Sequence, residues 1–145
     1  MRDFRSLAVW RKGHELVMGI YQGTALFPPE ERQGLAYQLR KAAASICANM
    51  AEGCGRRGSR ELSRFLQIAF ASACEVEYLL FLSGELGYMG TRLHEQLSQQ
   101  LLEVKKMLAS FIHKLRRGQP SEVSHQKSAI RSQGSTSGCP PPTES

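Results

Sequence analysis

The sequence lacks the residue patterns of most enzymes and metal centres. It has no C-x-x-C pair, no histidine at metal-ligand spacing beside a cysteine, no glycine-rich phosphate loop and no alternating strand pattern. Cys47 and Cys54 are seven residues apart, so they share one face of a helix and cannot form a disulfide within it. With Cys74 and Cys139, they are interpreted as reduced thiols of a cytosolic protein rather than as a zinc site. We therefore expect no metal and no cofactor.

Targeting and membrane segments are also missing from the sequence pattern. The first five residues, Met1 to Arg5, have no apolar core of the kind that a signal peptide needs. No uninterrupted apolar run approaches the ~20 residues of a membrane span. These absences predict a cytoplasmic protein that has no membrane partner.

The chain divides by composition into a long helical part and a short polar tail. Its 145 residues are 41% hydrophobic, and this length suits one domain. From Gly118 onward, serine, glutamine, glycine and proline dominate and large apolar residues nearly vanish. Such a composition cannot bury enough apolar surface to fold. We predict one folded domain over residues 1–117 and a disordered tail over residues 118–145.

Apolar residues recur at helical spacing in four segments of the folded part. Helix one is predicted from Ser6 to Leu26, and helix two from the Pro29 region to about Glu52. Helix three is predicted from Ser59, as its N-cap, to Glu85, and helix four from a cap at Thr91 through Leu115. Short links between four helices favour an all-α, up-down-up-down four-helix bundle.

Polar residues on helix two share one narrow face. Gln38, Ser45, Asn49 and Glu52 are separated by seven, four and three residues, next to an apolar face of the same helix. Together with Ser72 and Glu75 of helix three, they are interpreted as an oligomer seam, because satisfied polar networks fix subunit register. The alternative, Glu52 or Glu75 as a general base, lacks a nucleophile, a ligand cluster and a companion histidine. We therefore expect no catalytic residue.

The up-down topology places many basic residues at one end of the bundle. The start of helix one, the turn between helices two and three, and the end of helix four carry eleven of them: Arg2, Arg5, Arg11, Lys12, Arg56, Arg57, Arg60, Arg64, Lys114, Arg116 and Arg117. Against the four acids Asp3, Glu15, Glu52 and Glu61, the net charge of this end is +7. Phosphate backbones bind such surfaces without base specificity. Arg56, Arg57, Arg60, Arg64, Arg116 and Arg117 are the predicted contacts, and a solvated helix end that matches the helix dipoles is the alternative.

Several blocks of the chain resemble one protein family in order and spacing. They are Phe4–Trp10, Phe27–Arg32 with Gly34 and Leu35, Ser45–Gly53, Phe65–Ala69 with Ser72 and Glu75, and Leu86–Tyr88. Over residues 4–115 the chain resembles the four-helix-bundle proteins found as reading frames inside intervening sequences of 23S ribosomal RNA genes. Cys47 and Cys54 depart from it, standing where that family more often has a proline and an aromatic residue. The resemblance implies a pentameric homo-oligomer without known catalytic activity, more distantly related to an accessory protein of reverse transcriptases.

Three functional hypotheses follow from these patterns. The first is a non-enzymatic, oligomeric adaptor that binds RNA or DNA through the basic end. The second is a structural oligomer that binds another protein, for example a reverse transcriptase, and has no nucleic-acid affinity of its own. The third is an enzyme of a type that the sequence does not reveal.

Overall fold

Four antiparallel helices form the part of the chain that the computed structural model describes, residues 2–118. They are α1 (Ala8–Thr24), α2 (Leu35–Gly55), α3 (Ser59–Glu85) and α4 (Thr91–Arg117). Short 3₁₀ turns at Phe4–Ser6 and Pro29–Glu31 precede α1 and α2, and residues 2–118 contain no strand. The prediction of an all-α four-helix bundle is confirmed. The predicted tail, including Cys139, lies outside the described residues.

The core runs along the centre of the bundle. Each helix packs against two neighbours: α1 and α3 each contact both α2 and α4. All four helices contribute fully buried side chains, which include Leu16, Ile20, Leu39, Ile46, Met50, Leu66, Val76, Leu80, Leu97, Val104 and Leu108. Burying a leucine or isoleucine side chain contributes about 1.5–3 kcal/mol, so this continuous row is the main stabilising feature of the fold.

Several predicted helix ends are wrong by a few residues because local hydrogen bonds end or begin the helix elsewhere. Helix α1 begins at Ala8 rather than Ser6, because the carboxylate of Asp3 accepts the Arg5 N–H at 3.0 Å and stabilises a separate turn. Pro29–Glu31 likewise form a separate turn rather than the first turn of α2. The Glu31 carboxylate accepts the Leu35 N–H at 2.7 Å and thereby satisfies a donor at the true start of α2.

The predicted N-caps of α3 and α4 are each displaced by one residue. Ser59 and Thr91 are the first helical residues, and the cap positions belong to Gly58 and Gly90, neither of which has a side chain to offer. Gly58 has φ +85°, a conformation that favours glycine. The α2–α3 turn therefore depends on backbone geometry rather than on a side-chain cap.

Among residues 2–118, only helix α3 contains an apolar stretch of membrane-spanning length. By length and composition alone, an 18-residue window of this 27-residue helix, with mean hydropathy 1.5, is apolar enough to cross a membrane. Its apolar residues serve the bundle instead on the side that packs between α2 and α4. Glu75 and Glu77 lie near its middle, where charge is costly in a bilayer. Ile68, Tyr78 and Phe81 are exposed, so α3 also leaves apolar surface uncovered.

Arg40 ties the end of α1 to α2. Its Nε donates to the Thr24 hydroxyl at 2.7 Å and its Nη2 donates to the Tyr21 carbonyl at 3.1 Å. The guanidinium also lies 4.8 Å from the centre of the Tyr21 ring. Because the last carbonyls of a helix have no partner within it, a cation here satisfies the end of α1 and fixes its position on α2.

Gly53 permits the closest approach of α2 to α3. A Cβ at this position would lie 2.9 Å from the Phe65 Cβ and 3.1 Å from the Leu62 side chain. Two residues later, a Cβ on Gly55 would meet nothing within 4 Å. The first glycine is required by packing, whereas the second is not.

We predict opposite effects on stability for alanine at these two glycines. Gly53→Ala should lower the free energy of unfolding by about 1–3 kcal/mol, because the overpacked helices must separate and this cost exceeds the gain in helix propensity. Gly55→Ala is the matched control and should be neutral or stabilising by up to about 1 kcal/mol. Urea denaturation monitored by circular dichroism measures both. Equal effects of the two changes would show that Gly53 is not a packing constraint.

Candidate nucleic-acid interface and assembly surface

The predicted basic end exists as a contiguous region. The Arg2 N–H donates to the Cys54 carbonyl at 3.2 Å, which places the start of the chain on the last turn of α2. Lys114 borders a groove with Leu7, and Arg116 borders a cleft with Gln67. The chain start, the α2–α3 turn and the end of α4 are thus brought together.

One acidic residue at this end was missed by the sequence reading. Glu103 of α4 pairs with Lys12 at 3.6 Å, so it belongs to the same region. Lys106 lies one turn nearer the end of α4 and lines the same groove as Lys114, so it belongs to this end as well. With Glu103 and Lys106 both counted, twelve bases and five acids leave the net charge of the basic end at +7, and the rest of residues 2–118 carries −1. The charge of the folded part is therefore concentrated at one end, as the topology predicted.

The six predicted phosphate contacts are not equivalent. Arg56 pairs with Glu52 at 3.3 Å, and Arg64 pairs with Glu61 at 3.1 Å. Both guanidinium groups also stack on Phe65, at 5.3 and 4.6 Å from its ring centre. These two arginines are partly neutralised and held in place, although exposed ion pairs of this kind contribute little stability.

Three of the other four arginines of this set are more available to a ligand. Arg57 and Arg117 are exposed, Arg116 is half-buried, and none of the three pairs with an acid among residues 2–118. Arg60 is exposed in the first turn of α3. The strongest unneutralised charge therefore lies on the α2–α3 turn and on the last turn of α4.

A small cleft of about 160 Å³ opens at the start of α3. It is lined by Arg2, Gly53, Cys54, Arg56, Gly58, Ser59 and Leu62. The cleft lies at the N-terminus of α3, which is the positive end of the helix dipole. No side chain caps this helix, so the first N–H groups of α3 have no side-chain partner there. The site combines two arginines with a positive helix terminus.

The cysteines of the described region do not form a reactive or metal-binding group. Burial raises the pKa of the Cys47 thiol to about 12. Burial also raises the pKa of Cys54, although the nearby charge of Arg2 opposes this effect. Cys74 is exposed, and residues 2–118 contain no cluster of three or more histidine, cysteine or acidic side chains able to hold a metal.

The polar seam is smaller than the sequence predicted. The hydroxyls of Ser45 and Ser72 lie 2.9 Å apart and join α2 to α3. The Asn49 amide donates to the Ser45 carbonyl at 2.8 Å and to its hydroxyl at 3.0 Å. Glu52 is instead engaged with Arg56, and Gln38 and Glu75 are exposed. The structure joins three of the six predicted residues into one half-buried network.

Several large apolar side chains are also exposed on α2 and α3. Tyr37 is 52% exposed, Ile68 38%, Tyr78 57% and Phe81 63%. A monomer gains nothing from such exposure, and grouped apolar residues mark an interaction surface. We call the surface formed by Tyr37, Ser45, Asn49, Ile68, Ser72 and Tyr78 the α2–α3 surface.

An aromatic column beside the basic end was not predicted. Phe4 packs edge-on against Trp10 at 4.9 Å, and the Trp10 and His14 rings are stacked with centres 5.1 Å apart and planes within 5°. His14 is exposed on the surface of α1. The i, i+4 spacing of Trp10 and His14 was the available signal, because it places two side chains on one helix face.

The fold and the basic end define a helical-bundle protein whose positive charge is concentrated at one end. The chain matches the family model of the 23S rRNA-intervening sequence protein over residues 5–110. It therefore belongs to that family, and the expected resemblance is confirmed. No curated protein matches the chain.

A solved relative shares the architecture. It is a protein of unknown function from the S23 ribosomal protein family of Bacteroides thetaiotaomicron, with 26% sequence identity and a TM-score of 0.66. The match covers 72% of this chain and 98% of the relative. Nearly the whole length of the relative is therefore matched by this chain.

The cysteine environments predict selective modification of the native protein. Maleimide at neutral pH should label Cys74 readily and leave Cys47 and Cys54 unlabelled until the protein is unfolded, because the reactive thiolate is suppressed by burial. Peptide mass spectrometry resolves the three sites, and protein labelled in denaturant provides the control. Labelling of native Cys47 as fast as Cys74 would contradict the buried environment.

Proposed function

We propose that the protein is a non-enzymatic, oligomeric adaptor that binds the phosphate backbone of RNA through its basic end. The observation that carries this proposal is the concentration of the whole net charge at one end, with Arg57, Arg116 and Arg117 unneutralised within residues 2–118. A ligand with closely spaced negative charges is the natural complement of such a surface.

The expected binding mode is electrostatic and independent of base sequence. Each phosphate neutralised by a lysine or arginine releases condensed counterions, so the affinity depends steeply on salt concentration. The uncapped start of α3 adds backbone donors to the same surface. The family name places these proteins in the context of 23S ribosomal RNA genes, which supports a nucleic-acid ligand and does not identify it.

Self-association through the α2–α3 surface is part of the proposal. The exposed Ile68 and Tyr78 of α3 are apolar surface that a second copy would cover. The half-buried network of Ser45, Asn49 and Ser72 would set the register of that contact. The resemblance implies a pentamer, in which five basic ends would form one ring.

A protein-binding adaptor is the second candidate. The exposed Tyr78 and Phe81 favour it, because aromatic residues are enriched at the centres of protein interfaces. A reverse transcriptase is the example that the more distant resemblance suggests. In this case the basic end would have little affinity for RNA by itself.

Catalysis is not part of the proposed role. The two carboxylates considered as general bases have no companion nucleophile or histidine, and Glu52 is paired with Arg56. No cofactor is invoked, and a cytoplasmic location remains our expectation.

We predict salt-dependent RNA binding that requires the unneutralised arginines. In fluorescence anisotropy with a labelled RNA hairpin, the affinity should fall at least tenfold between about 50 and 200 mM salt. Arg57→Glu/Arg117→Glu should weaken binding at low salt by more than tenfold and reduce the salt dependence, because two phosphate contacts are lost.

The matched control carries the same charge change at the opposite end. Arg32 and Arg92 are exposed there, and Arg32→Glu/Arg92→Glu should retain most of the affinity. Equal losses in both variants would indicate a general charge effect without a specific site. Absence of binding by the unaltered protein at low salt would reject the RNA proposal and favour the protein adaptor.

We predict that a charge on the α2–α3 surface disrupts self-association. Ile68→Glu places an unpaired carboxylate in the proposed interface and should reduce the particle mass measured by light scattering. Leu102→Glu is the control, because Leu102 is 44% exposed on α4, outside this surface. Both variants should keep their helical circular dichroism. An unchanged mass for Ile68→Glu would remove the α2–α3 surface from the assembly.

A further inference from the structure

The aromatic column lies at the edge of the basic end. Trp10 is the third residue of α1, and the preceding chain turns back so that Arg2 contacts the last turn of α2. The Arg5 guanidinium lies 4.6 Å from the centre of the Phe4 ring. The column therefore runs from a stacked arginine through Phe4 and Trp10 to His14.

The outer end of this column is open. Trp10 covers one face of the His14 imidazole, and His14 is nonetheless exposed, so its opposite face is turned to solvent. The next large side chains along this flank of α1, Met18 and Tyr21, are 49% and 44% exposed. The flank thus continues as apolar and aromatic surface away from the basic end.

Trp10 carries a cost for the folded protein. Its indole N–H is buried and has no hydrogen-bond acceptor among residues 2–118. A buried donor without a partner is destabilising, and a phenylalanine would fill much of the same space without that penalty.

Rings next to arginines are the combination that binds single strands. Bases stack on aromatic side chains while basic residues follow the phosphates, and any base can take part because each has a π-face. Arg5 and Arg11 are exposed on either side of the column in sequence. The acids closest in sequence are Asp3, which pairs with Arg5 at 3.8 Å, and Glu15. A duplex keeps its bases stacked inside and cannot use this surface.

We infer that the Phe4–Trp10–His14 column is a stacking platform for an unpaired base of a single-stranded nucleic acid, with the base on the open face of His14. The inference rests on the proposed function, because the phosphates on either side of this base would lie on the basic end. It deepens that function by specifying single-stranded rather than duplex ligands.

The experiment compares strands that differ only in their bases. Fluorescein-labelled oligouridine of about ten nucleotides is titrated against an abasic phosphodiester of the same length and against a duplex. The oligouridine should bind about tenfold more tightly than the abasic strand, and more tightly than the duplex. Trp10 is the only tryptophan, so oligouridine without the label should also change its emission, whereas the abasic strand should not.

Variants at His14 separate stacking from charge. His14→Ala should weaken oligouridine binding about tenfold and leave binding of the abasic strand unchanged, and His14→Phe should restore the affinity. His113→Ala changes an exposed histidine of α4 and should have no effect.

The failures of the two proposals are distinguishable. Equal affinities for oligouridine and the abasic strand, without an effect of His14→Ala, would overturn the stacking inference and leave phosphate binding intact. Tighter binding of the duplex would also overturn it. Absence of binding by every strand at low salt would overturn both proposals.

Discussion

The three-residue link between α2 and α3 is the constraint on which the rest of the structure depends. With only Arg56, Arg57 and Gly58 between the two helices, they can only run antiparallel and side by side. Gly53 lets them meet closely at the closed end of this hairpin, and Gly58 adopts the positive φ that the turn needs. The same turn brings the end of α2 and the arginines of early α3 together. The packing constraint and the charge concentration therefore have one origin.

The sequence was sufficient for the fold because the information lies in long periodic patterns. Apolar residues at helical spacing identify four helices, and short links leave few ways to connect them. Helix ends were less predictable because single hydrogen bonds decide them. The carboxylates of Asp3 and Glu31 each accept a backbone N–H and thereby move the predicted starts of α1 and α2. Composition does not reveal which of several nearby acids makes that bond.

The candidate site was predictable as a set of charges and not as a set of contacts. Topology alone placed the arginines at one end, because antiparallel helices bring termini that are distant in sequence to the same end of the bundle. Topology did not show that Arg56 and Arg64 both stack on the Phe65 ring and form ion pairs with neighbouring acids. Arg57 and Arg117 make no such ion pairs within residues 2–118. Nor did topology show that Glu52 forms an ion pair with Arg56 instead of joining the polar seam. These distinctions depend on side-chain conformation, which a helical wheel does not contain.

The two proposed surfaces reinforce each other physically. Ser45, Ser72 and Ile68 lie on the outer side of the α2–α3 pair, whereas the unneutralised arginines lie at the end of the bundle, so one copy can use both surfaces at once. If the basic end binds phosphates as proposed, its net charge of +7 would hold a phosphate chain only weakly as a single unit. Copies held side by side would present several such ends to one nucleic acid, and the second contact would then be intramolecular. Linked sites of this kind gain about 10²–10⁴ in apparent affinity without any new contact.

Modest charge on each subunit is therefore compatible with tight binding only if assembly keeps the basic ends on one side of the oligomer. The up-down topology allows this arrangement, because all basic segments of a subunit emerge at the same end.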